Sequence, residues 1–155
     1  MKIEFVPAYS DRALFLRLAK DYVETLKKVD DMIVWDEPIW IKAAWDSWFI
    51  VEDRTIQGFV ITQEVDFKVY KKILYIEEFY IVPEARRKGI GFKTIEEIAK
   101  SWSGDFFLYV LNRNYEAKAF WEYVERKLGW KRIKRPEIRE EAGCELMVFE
   151  GGENI

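Results

Sequence analysis

Apolar and polar residues follow helical spacing in some segments of the chain and strand alternation in others. Residues 2–6 alternate as a strand does. Ser10 can cap a helix, and apolar residues then recur at helical spacing from Leu14 to about Lys28. Asp36 can cap a second, shorter helix. The first part of the chain is therefore predicted to run strand, helix, helix.

The middle of the chain changes to strand-like segments rich in β-branched and aromatic residues. Residues 48–53, 58–67 and 73–82 each predict a strand. We expect turns at Arg54–Gln57 and near Tyr70–Lys72. Proline follows the third strand and ends it, because proline cannot donate to a strand ladder.

The remaining segments alternate between helices and short strands. We expect helices at Gly91–Trp102 and Asn114–Leu128, with Gly129 as a left-handed C-terminal residue. Strands are predicted at 105–111, 130–135 and 144–150. The order β-α-α-β-β-β-α-β-α-β-β indicates an α/β protein with a mixed, mostly antiparallel sheet. We predict one domain over residues 1–150 and a tail at 151–155.

The composition excludes several kinds of chemistry. The 155 residues are 50% hydrophobic and 17% aromatic, which is typical of a folded chain with a sizeable core. Histidine is absent and Cys144 is the one cysteine, so the common zinc sites and the Ser-His and Cys-His nucleophile pairs cannot be built. We therefore expect no metal, and proton transfer must use other groups.

Charge and hydropathy limit the classes of partner that the protein is expected to bind. The net charge of −3 lacks the basic excess usual in DNA binders, so we expect no nucleic-acid partner. No apolar run approaches the roughly 18 residues of a membrane helix. The first residues also lack the apolar run of a signal peptide. We expect a cytoplasmic protein with no membrane partner.

The segment from Pro83 to Gly91 is a basic, glycine-containing loop between a strand and a helix. The first N–H groups of a helix have no acceptor inside the helix, and the helix dipole adds partial positive charge, so such a loop can bind an anion. Glycine lets phosphate approach the backbone, and Arg86, Arg87 and Lys88 add positive charge. A diphosphate is the natural ligand, and a plain solvated turn is the alternative. The loop matches neither a Walker A loop nor the G-x-G-x-x-G fingerprint.

The loop and its neighbours together resemble the GNAT-type N-acetyltransferase superfamily. The signature Q/R-x-x-G-x-G/A is met by Arg86, Gly89 and Gly91. The later pattern N-x-x-A-x-x-hydrophobic-aromatic is met by Asn114, Ala117, Phe120 and Trp121. Residues 127–130 match its helix-ending K-L-G-aromatic. The resemblance covers the whole order of elements and is sharpest from about Ile73 to Arg132.

This resemblance implies a fold, an activity and a co-substrate. The fold is a mixed, mostly antiparallel sheet of six or seven strands with about four helices and splayed central strands. The activity is transfer of an acetyl group from acetyl-CoA to a primary amine by direct attack in a ternary complex. The acceptor would be a small-molecule, peptide or protein amine, and a homodimer is one assembly the chain could form.

The resemblance also implies where acetyl-CoA binds. The acyl-pantetheine arm would enter between the splayed strands and bond the backbone of Phe79, Ile81 and Val82. The pyrophosphate would be held by the loop and first helical turn, that is by Arg86, Arg87, Lys88, Gly89, Ile90, Gly91 and Phe92. Asn114 would lie beside the pantetheine, with Phe120 and Trp121 further along the arm.

Two carboxylates and one tyrosine are the catalytic candidates. Glu77 and Glu78 lie mid-strand, and adjacent strand residues face opposite sides, so only one can face a given cleft. Either could be a general base acting through water, or could form a salt bridge instead. The family commonly has a tyrosine as acid where this chain has Trp121, which cannot serve. Tyr80 and water are the remaining proton sources for the thiolate.

The resemblance places the segment after the first strand on the acceptor side of the site, and this segment is acidic. The segment Asp21–Asp53 carries nine carboxylates against three lysines: Asp21, Glu24, Asp30, Asp31, Asp36, Glu37, Asp46, Glu52 and Asp53 against Lys27, Lys28 and Lys42. Such a surface would attract a cationic amine, and an ordinary solvated face is the alternative.

Two other functions stay open: an acyl-CoA sensor of the same fold with weak catalysis, and a nucleotide-phosphate binder that uses the same loop.

Overall fold

The computed structural model describes residues 1–68 and 72–151, and its elements follow the predicted order. The described residues contain four α-helices: α1 (Arg12–Lys27), α2 (Glu37–Ala43), α3 (Ile90–Ser101) and α4 (Tyr115–Leu128). They also contain seven β-strands: β1 (Ile3–Pro7), β2 (Ser47–Glu52), β3 (Thr55–Val65), β4 (Ile73–Ile81), β5 (Phe106–Leu111), β6 (Lys131–Arg132) and β7 (Cys144–Glu150). Tyr70 and Lys71 of the predicted turn, and residues 152–155 of the predicted tail, lie outside the described residues.

The strands form one seven-stranded sheet in the order β1-β2-β3-β4-β5-β7-β6. The pairs β1–β2, β2–β3, β5–β7 and β6–β7 are antiparallel, whereas β4 and β5 are parallel. The described β4–β5 pairs are Leu74 with Phe106 and Tyr75 with Phe107, and both lie near the start of their strands. This placement agrees with the expectation that β4 and β5 splay apart further along. The predicted class, a mixed and mostly antiparallel sheet with about four helices, is confirmed.

Hydrogen bonding corrects one of the two predicted helix caps in the first part of the chain and confirms the other. Residues 8–11 form a short 3₁₀ turn, so Ser10 does not cap α1 and instead donates its hydroxyl to Pro7 O at 2.6 Å. Asp11 is the cap, and its carboxylate accepts from Leu14 N at 3.1 Å. The Asp36 cap of α2 is confirmed, since its side chain accepts from Ile39 N.

Two predicted boundaries in the strands are also wrong. The turn between β2 and β3 is Asp53–Arg54, not Arg54–Gln57, and both residues have positive φ, of 49° and 62°. Glycine, asparagine and aspartate dominate two-residue turns of this kind, so Asp53 is a favoured residue there and Arg54 is not. The predicted strand at 130–135 shrinks to β6, although Ile133 N still donates to Val148 O at 2.9 Å just beyond it. Gly129 has φ 67°, as predicted.

The described chain divides into two compact units, Met1–Thr62 with Glu78–Thr94, and Gln63–Glu77 with Ile95–Ile155. The core of the first unit is aromatic, with Phe15, Phe49 and Phe59 almost fully buried. In the second unit, Tyr75 stacks on buried Phe107 with ring centroids 4.5 Å apart. No helix of the described residues is long and apolar enough to cross a membrane. The single domain over 1–150 stays a prediction.

Gly58 allows β3 to pass close to β4. The register shifts between Ile50 and Val51, which leaves a bulge in β3 beside Gly58. A Cβ at Gly58 would lie 1.8 Å from Tyr80 O, and that backbone atom cannot rotate away.

We therefore expect Gly58→Ala to destabilise the fold by about 3 kcal/mol, the upper range for overpacking. The corresponding loss in melting temperature is about 6–12 °C for a chain of this length. Thermal unfolding followed by circular dichroism measures it. A Gly58→Ala variant with the same melting temperature as the wild type would contradict the close approach of β3 to β4.

Candidate functional site

The loop between β4 and α3 has a backbone conformation suited to an anion. Pro83–Ala85 form a 3₁₀ turn after Val82, and Arg86 is extended. Arg87 (φ 63°) and Gly89 (φ 82°) have positive φ, while Lys88 between them does not. Alternating signs of φ turn successive N–H groups toward a common point, which makes an anion-binding concavity. The sequence predicted the glycine but not the left-handed Arg87.

The start of α3 continues this surface. Helical bonding begins with Lys93 N donating to Gly89 O at 3.0 Å, which places the first N–H groups of α3 at the end of the loop. Ile90 and Thr94 are both buried and anchor the first turn of α3 in the protein interior. The Thr94 hydroxyl donates to Ile90 O at 2.7 Å. A Cβ on Gly89 would meet no atom within 4 Å, so the space beside the loop is open.

Arg86 is turned back onto its own strand. Its Nε donates to Ile81 O at 2.9 Å, and its Cζ lies 5.6 Å from the centroid of the Tyr80 ring. The charge predicted to face a phosphate is therefore used to join the loop to β4. Arg87 and Lys88 are exposed and carry the accessible positive charge of the loop.

The backbone of the predicted pantetheine strand is partly bonded within the protein. Val82 N donates to Gln57 O at 2.8 Å, and Val82 O accepts from Ala85 N at 3.0 Å. Ile81 O is the acceptor of the Arg86 bond. Val82 is thus the least suited of the three predicted residues to bond a ligand amide, and contacts through Phe79 and Ile81 stay a prediction.

The two candidate carboxylates have different surroundings. Glu77 is exposed, whereas Glu78 is half-buried and lies on the opposite face of β4. The Tyr22 hydroxyl, from α1, donates to Glu78 Oε2. The Tyr22 ring lies 5.4 Å from the Tyr80 ring and 5.5 Å from the Phe59 ring, centroid to centroid. Glu78 therefore borders an aromatic cluster of the first unit.

Sequence reasoning did not identify Tyr22 as part of this site. Its helical spacing marked it only as one of the inward-facing residues of α1. It is 56 positions away from Glu78 in the chain, and no local pattern links the two residues.

Tyr80 is a neutral hydrogen-bond donor at physiological pH. The residue is 4% exposed, and burial raises the pKa of its hydroxyl above the ordinary value of 10.0. Arg86 opposes this rise in pKa, and Asp21 and Glu84 add to it. Tyr80 therefore keeps its proton more firmly than a tyrosine in water.

The α4 residues of the second unit have structural contacts of their own. The Asn114 side chain caps α4 by accepting from Ala117 N at 3.1 Å. Trp121, at the position of the expected tyrosine, is 5% exposed and packs edge-on against Phe120. Tyr123, two residues further along α4, is 40% exposed. Coenzyme contacts of Asn114, Phe120 and Trp121 stay predictions.

No group of three or more His, Cys, Asp or Glu residues in the described ranges is arranged to hold a metal ion. The absence of a metal from the reaction stays a prediction, since it rests on composition. The chemistry available at the loop and β4 is anion binding by backbone N–H groups, proton acceptance by Glu78 and hydrogen-bond donation by Tyr80.

The mixed, mostly antiparallel sheet and the basic loop between β4 and α3 match the fold that the sequence resemblance implies. The sequence model of the acetyltransferase (GNAT) family matches residues 15–130, and the chain belongs to this family. A comparison with curated proteins finds no significant match.

Solved structures with the same fold agree with this family. An acetyltransferase from Thermus thermophilus superposes with a TM-score of 0.70 at 12% identity, over 97% of this chain and 96% of that one. PaiA N-acetyltransferase from Thermoplasma acidophilum, in complex with coenzyme A, gives 0.60 at 18% identity, over 97% and 99%. Diaminobutyrate acetyltransferase EctA from Paenibacillus lautus gives 0.66 at 10% identity, over 97% and 95%.

Proposed function

We propose that this protein transfers an acetyl group from acetyl-CoA to a primary amine by direct attack in a ternary complex. The observation that carries the proposal is the loop at 86–92, where alternating φ and the start of α3 direct N–H groups toward one point. A pyrophosphate supplies the dianionic group that such a surface fits. Arg87 and Lys88 add charge from side chains that remain accessible.

Structural neighbours support both substrates. PaiA is in complex with coenzyme A, and EctA is in complex with coenzyme A and L-2,4-diaminobutyric acid, its amine substrate. At these identities the likeness establishes the fold alone, so the acceptor of the present protein has to be found by experiment.

The reaction needs a group that removes a proton from the amine. A lysine-like amine has a pKa near 10.4, so holding it neutral at pH 7 costs about 4.6 kcal/mol. Acetyl-CoA supplies the thioester carbonyl carbon that the amine nitrogen attacks. Glu78 accepts the proton, directly or through a water, as the C–N bond forms and the C–S bond breaks. We assign Glu78 rather than Glu77 because Glu78 lies beside the aromatic cluster with Tyr22 and Tyr80.

The departing thiolate leaves into solvent in this proposal, and the medium at pH 7 protonates it there because a thiol has a pKa near 8.5, so no side chain has to act as the acid. Trp121 has no acidic proton to give. A thiol has a pKa near 8.5 and a tyrosine near 10, so proton transfer from Tyr80 to a thiolate is uphill, more so because burial raises the pKa of Tyr80. Tyr80 acts instead as a hydrogen-bond donor on the same strand face as Glu78.

A thiol-release assay of purified protein with acetyl-CoA and a panel of amines tests the proposal. Amine-dependent release of free CoA is the expected result. The buried Trp121 favours one alternative, a sensor of the same fold. Acetyl-CoA binding without CoA release for any amine would establish that alternative.

We expect the acceptor to be a cation, such as a polyamine, a lysine side chain or a peptide N-terminus. Most carboxylates of the segment Asp21–Asp53 are exposed, and one of its three lysines, Lys27, is paired with Glu24 at 3.0 Å. Such a surface raises the local concentration of a cationic amine and speeds its encounter with the protein.

The measurement is kcat/KM for polyamines and basic peptides against aminoacyl amides and amino sugars, at low and high salt. For cations we expect a fall of about tenfold as salt rises, because salt screens exposed charges. Preference for a neutral or anionic acceptor, or turnover that does not change with salt, would contradict this expectation. The aromatic residues around Trp35–Trp48 would then be the better candidates for acceptor contacts.

A further inference from the structure

Glu78 is bonded by a side chain from another part of the chain. Tyr22, in the middle of α1, donates its hydroxyl to Glu78 Oε2 on β4. α1 contributes buried residues to the core of the first unit through Phe15, Leu18 and Ala19. The helix that builds this core therefore also brings a hydrogen-bond donor to the proposed base.

The position of the Tyr22 hydroxyl is fixed by aromatic packing. The ring is edge-on to Trp40 at 6.1 Å and to Phe59 at 5.5 Å, and tilted against Tyr80 at 5.4 Å. A ring held on several sides has little rotational freedom, so the direction of its O–H bond to Glu78 is set by the fold.

We propose that Tyr22 is a positioning residue that keeps Glu78 ionised and oriented as the general base. The inference rests on the proposed function, which assigns the base to Glu78. A half-buried carboxylate beside aromatic rings tends to take up a proton, because its charged form loses hydration there. A hydrogen bond to the charged form opposes that tendency, so the Tyr22 hydroxyl extends the pH range in which Glu78 can accept a proton.

Other titratable groups lie near this pair. Tyr80 follows on the same face of β4, with its ring against Tyr22. Asp21 from α1, and Glu84 and Arg86 from the loop after β4, are close enough to affect the pKa of Tyr80. Each of these groups remains in Tyr22→Phe, so a change in that variant reports the lost hydroxyl.

Tyr22→Phe removes one oxygen and keeps the ring that packs against Trp40 and Phe59. We expect the acid limb of the pH profile of kcat/KM for the amine to be displaced upward by about one unit, so that kcat/KM falls about tenfold on that limb and by less at pH values where Glu78 is ionised in both proteins. The KM for acetyl-CoA is expected to stay unchanged. If Tyr22 had only a structural role, Tyr22→Phe would leave the acid limb of the kcat/KM profile at the same pH. Tyr123→Phe, at an exposed position on α4, is the matched control and should leave the profile unchanged.

Two further measurements make the inference independent of any one assay. In the Glu78→Gln background, Tyr22→Phe should have almost no additional effect on turnover, because the pair acts as a unit. The carboxyl carbon of Glu78, titrated by NMR, should show a higher pKa in Tyr22→Phe than in the wild type. An unchanged NMR titration, or equal losses from Tyr22→Phe with and without Glu78, would overturn the inference.

These outcomes separate this inference from the proposed function. A wild-type protein that transfers no acetyl group refutes the proposed function, while the NMR titration still decides whether Tyr22 controls the ionisation of Glu78. A Glu78→Gln variant with full activity overturns both the assignment of the base and the role of Tyr22. Loss of activity in Glu78→Gln with an unshifted profile in Tyr22→Phe overturns the role of Tyr22 alone.

Discussion

Glu78→Gln is expected to lower kcat by about 10²–10⁴-fold, the usual contribution of a general base. Glutamine keeps the shape of the side chain and can still accept the Tyr22 hydrogen bond, but it cannot take the proton of the amine. Acetyl-CoA affinity should stay unchanged, because the loop at 86–92 does not use this side chain. Steady-state kinetics with the acceptor found by the thiol-release assay measures the loss.

Glu77→Gln is the matched control for this prediction. It makes the same chemical change one residue earlier on β4, at an exposed side chain that faces the other way. We expect less than about a threefold loss in kcat, which is small beside the contribution of a general base. A larger loss in Glu77→Gln than in Glu78→Gln would reverse the assignment, and small losses in both would show that neither carboxylate is the base.

The choice between these neighbours depends on contacts that the sequence does not record. Alternation along a strand predicts that Glu77 and Glu78 face opposite sides, and the structure has this arrangement. Which side holds a tyrosine depends on α1, whose Tyr22 is 56 positions away. The contacts of Arg86 are likewise absent from the sequence. Its positive charge suggests a phosphate ligand, but in the structure its side chain donates to Ile81 O.

Local patterns predict best where a single residue type meets a backbone requirement. Gly129 takes the left-handed position after α4, and Asp36 caps α2, as their positions indicate. The turn at Asp53–Arg54 has the same left-handed requirement at both residues, but only Asp53 is of a type that favours it and Arg54 seldom adopts it, so the sequence contains only a weak signal for the turn. The loop before α3 lies between these cases, because its glycine is predictable and the positive φ of Arg87 is not.

Acetyl-CoA is expected to raise the melting temperature of the wild type through the loop at 86–92, and Gly89→Val should largely abolish that rise. A ligand at 100 times its Kd contributes about 2.7 kcal/mol, which corresponds to about 5–11 °C for a chain of this length. The space beside Gly89 is open, so a valine side chain fits there but would occupy the place of the pyrophosphate.

The substitution also has a cost that is unrelated to the ligand. Gly89 has φ 82°, and a β-branched residue is strained in that region by about 1–2 kcal/mol. Gly143→Val is the matched control, because Gly143 has φ 79°, also has no atom within 4 Å of an added Cβ, and lies in the turn before β7. Both variants should melt below the wild type without ligand, by similar amounts. With acetyl-CoA, Gly143→Val should regain the full wild-type rise and Gly89→Val almost none. A full rise in both would show that the coenzyme does not bind this loop, and equal losses in both would trace the effect to backbone strain instead.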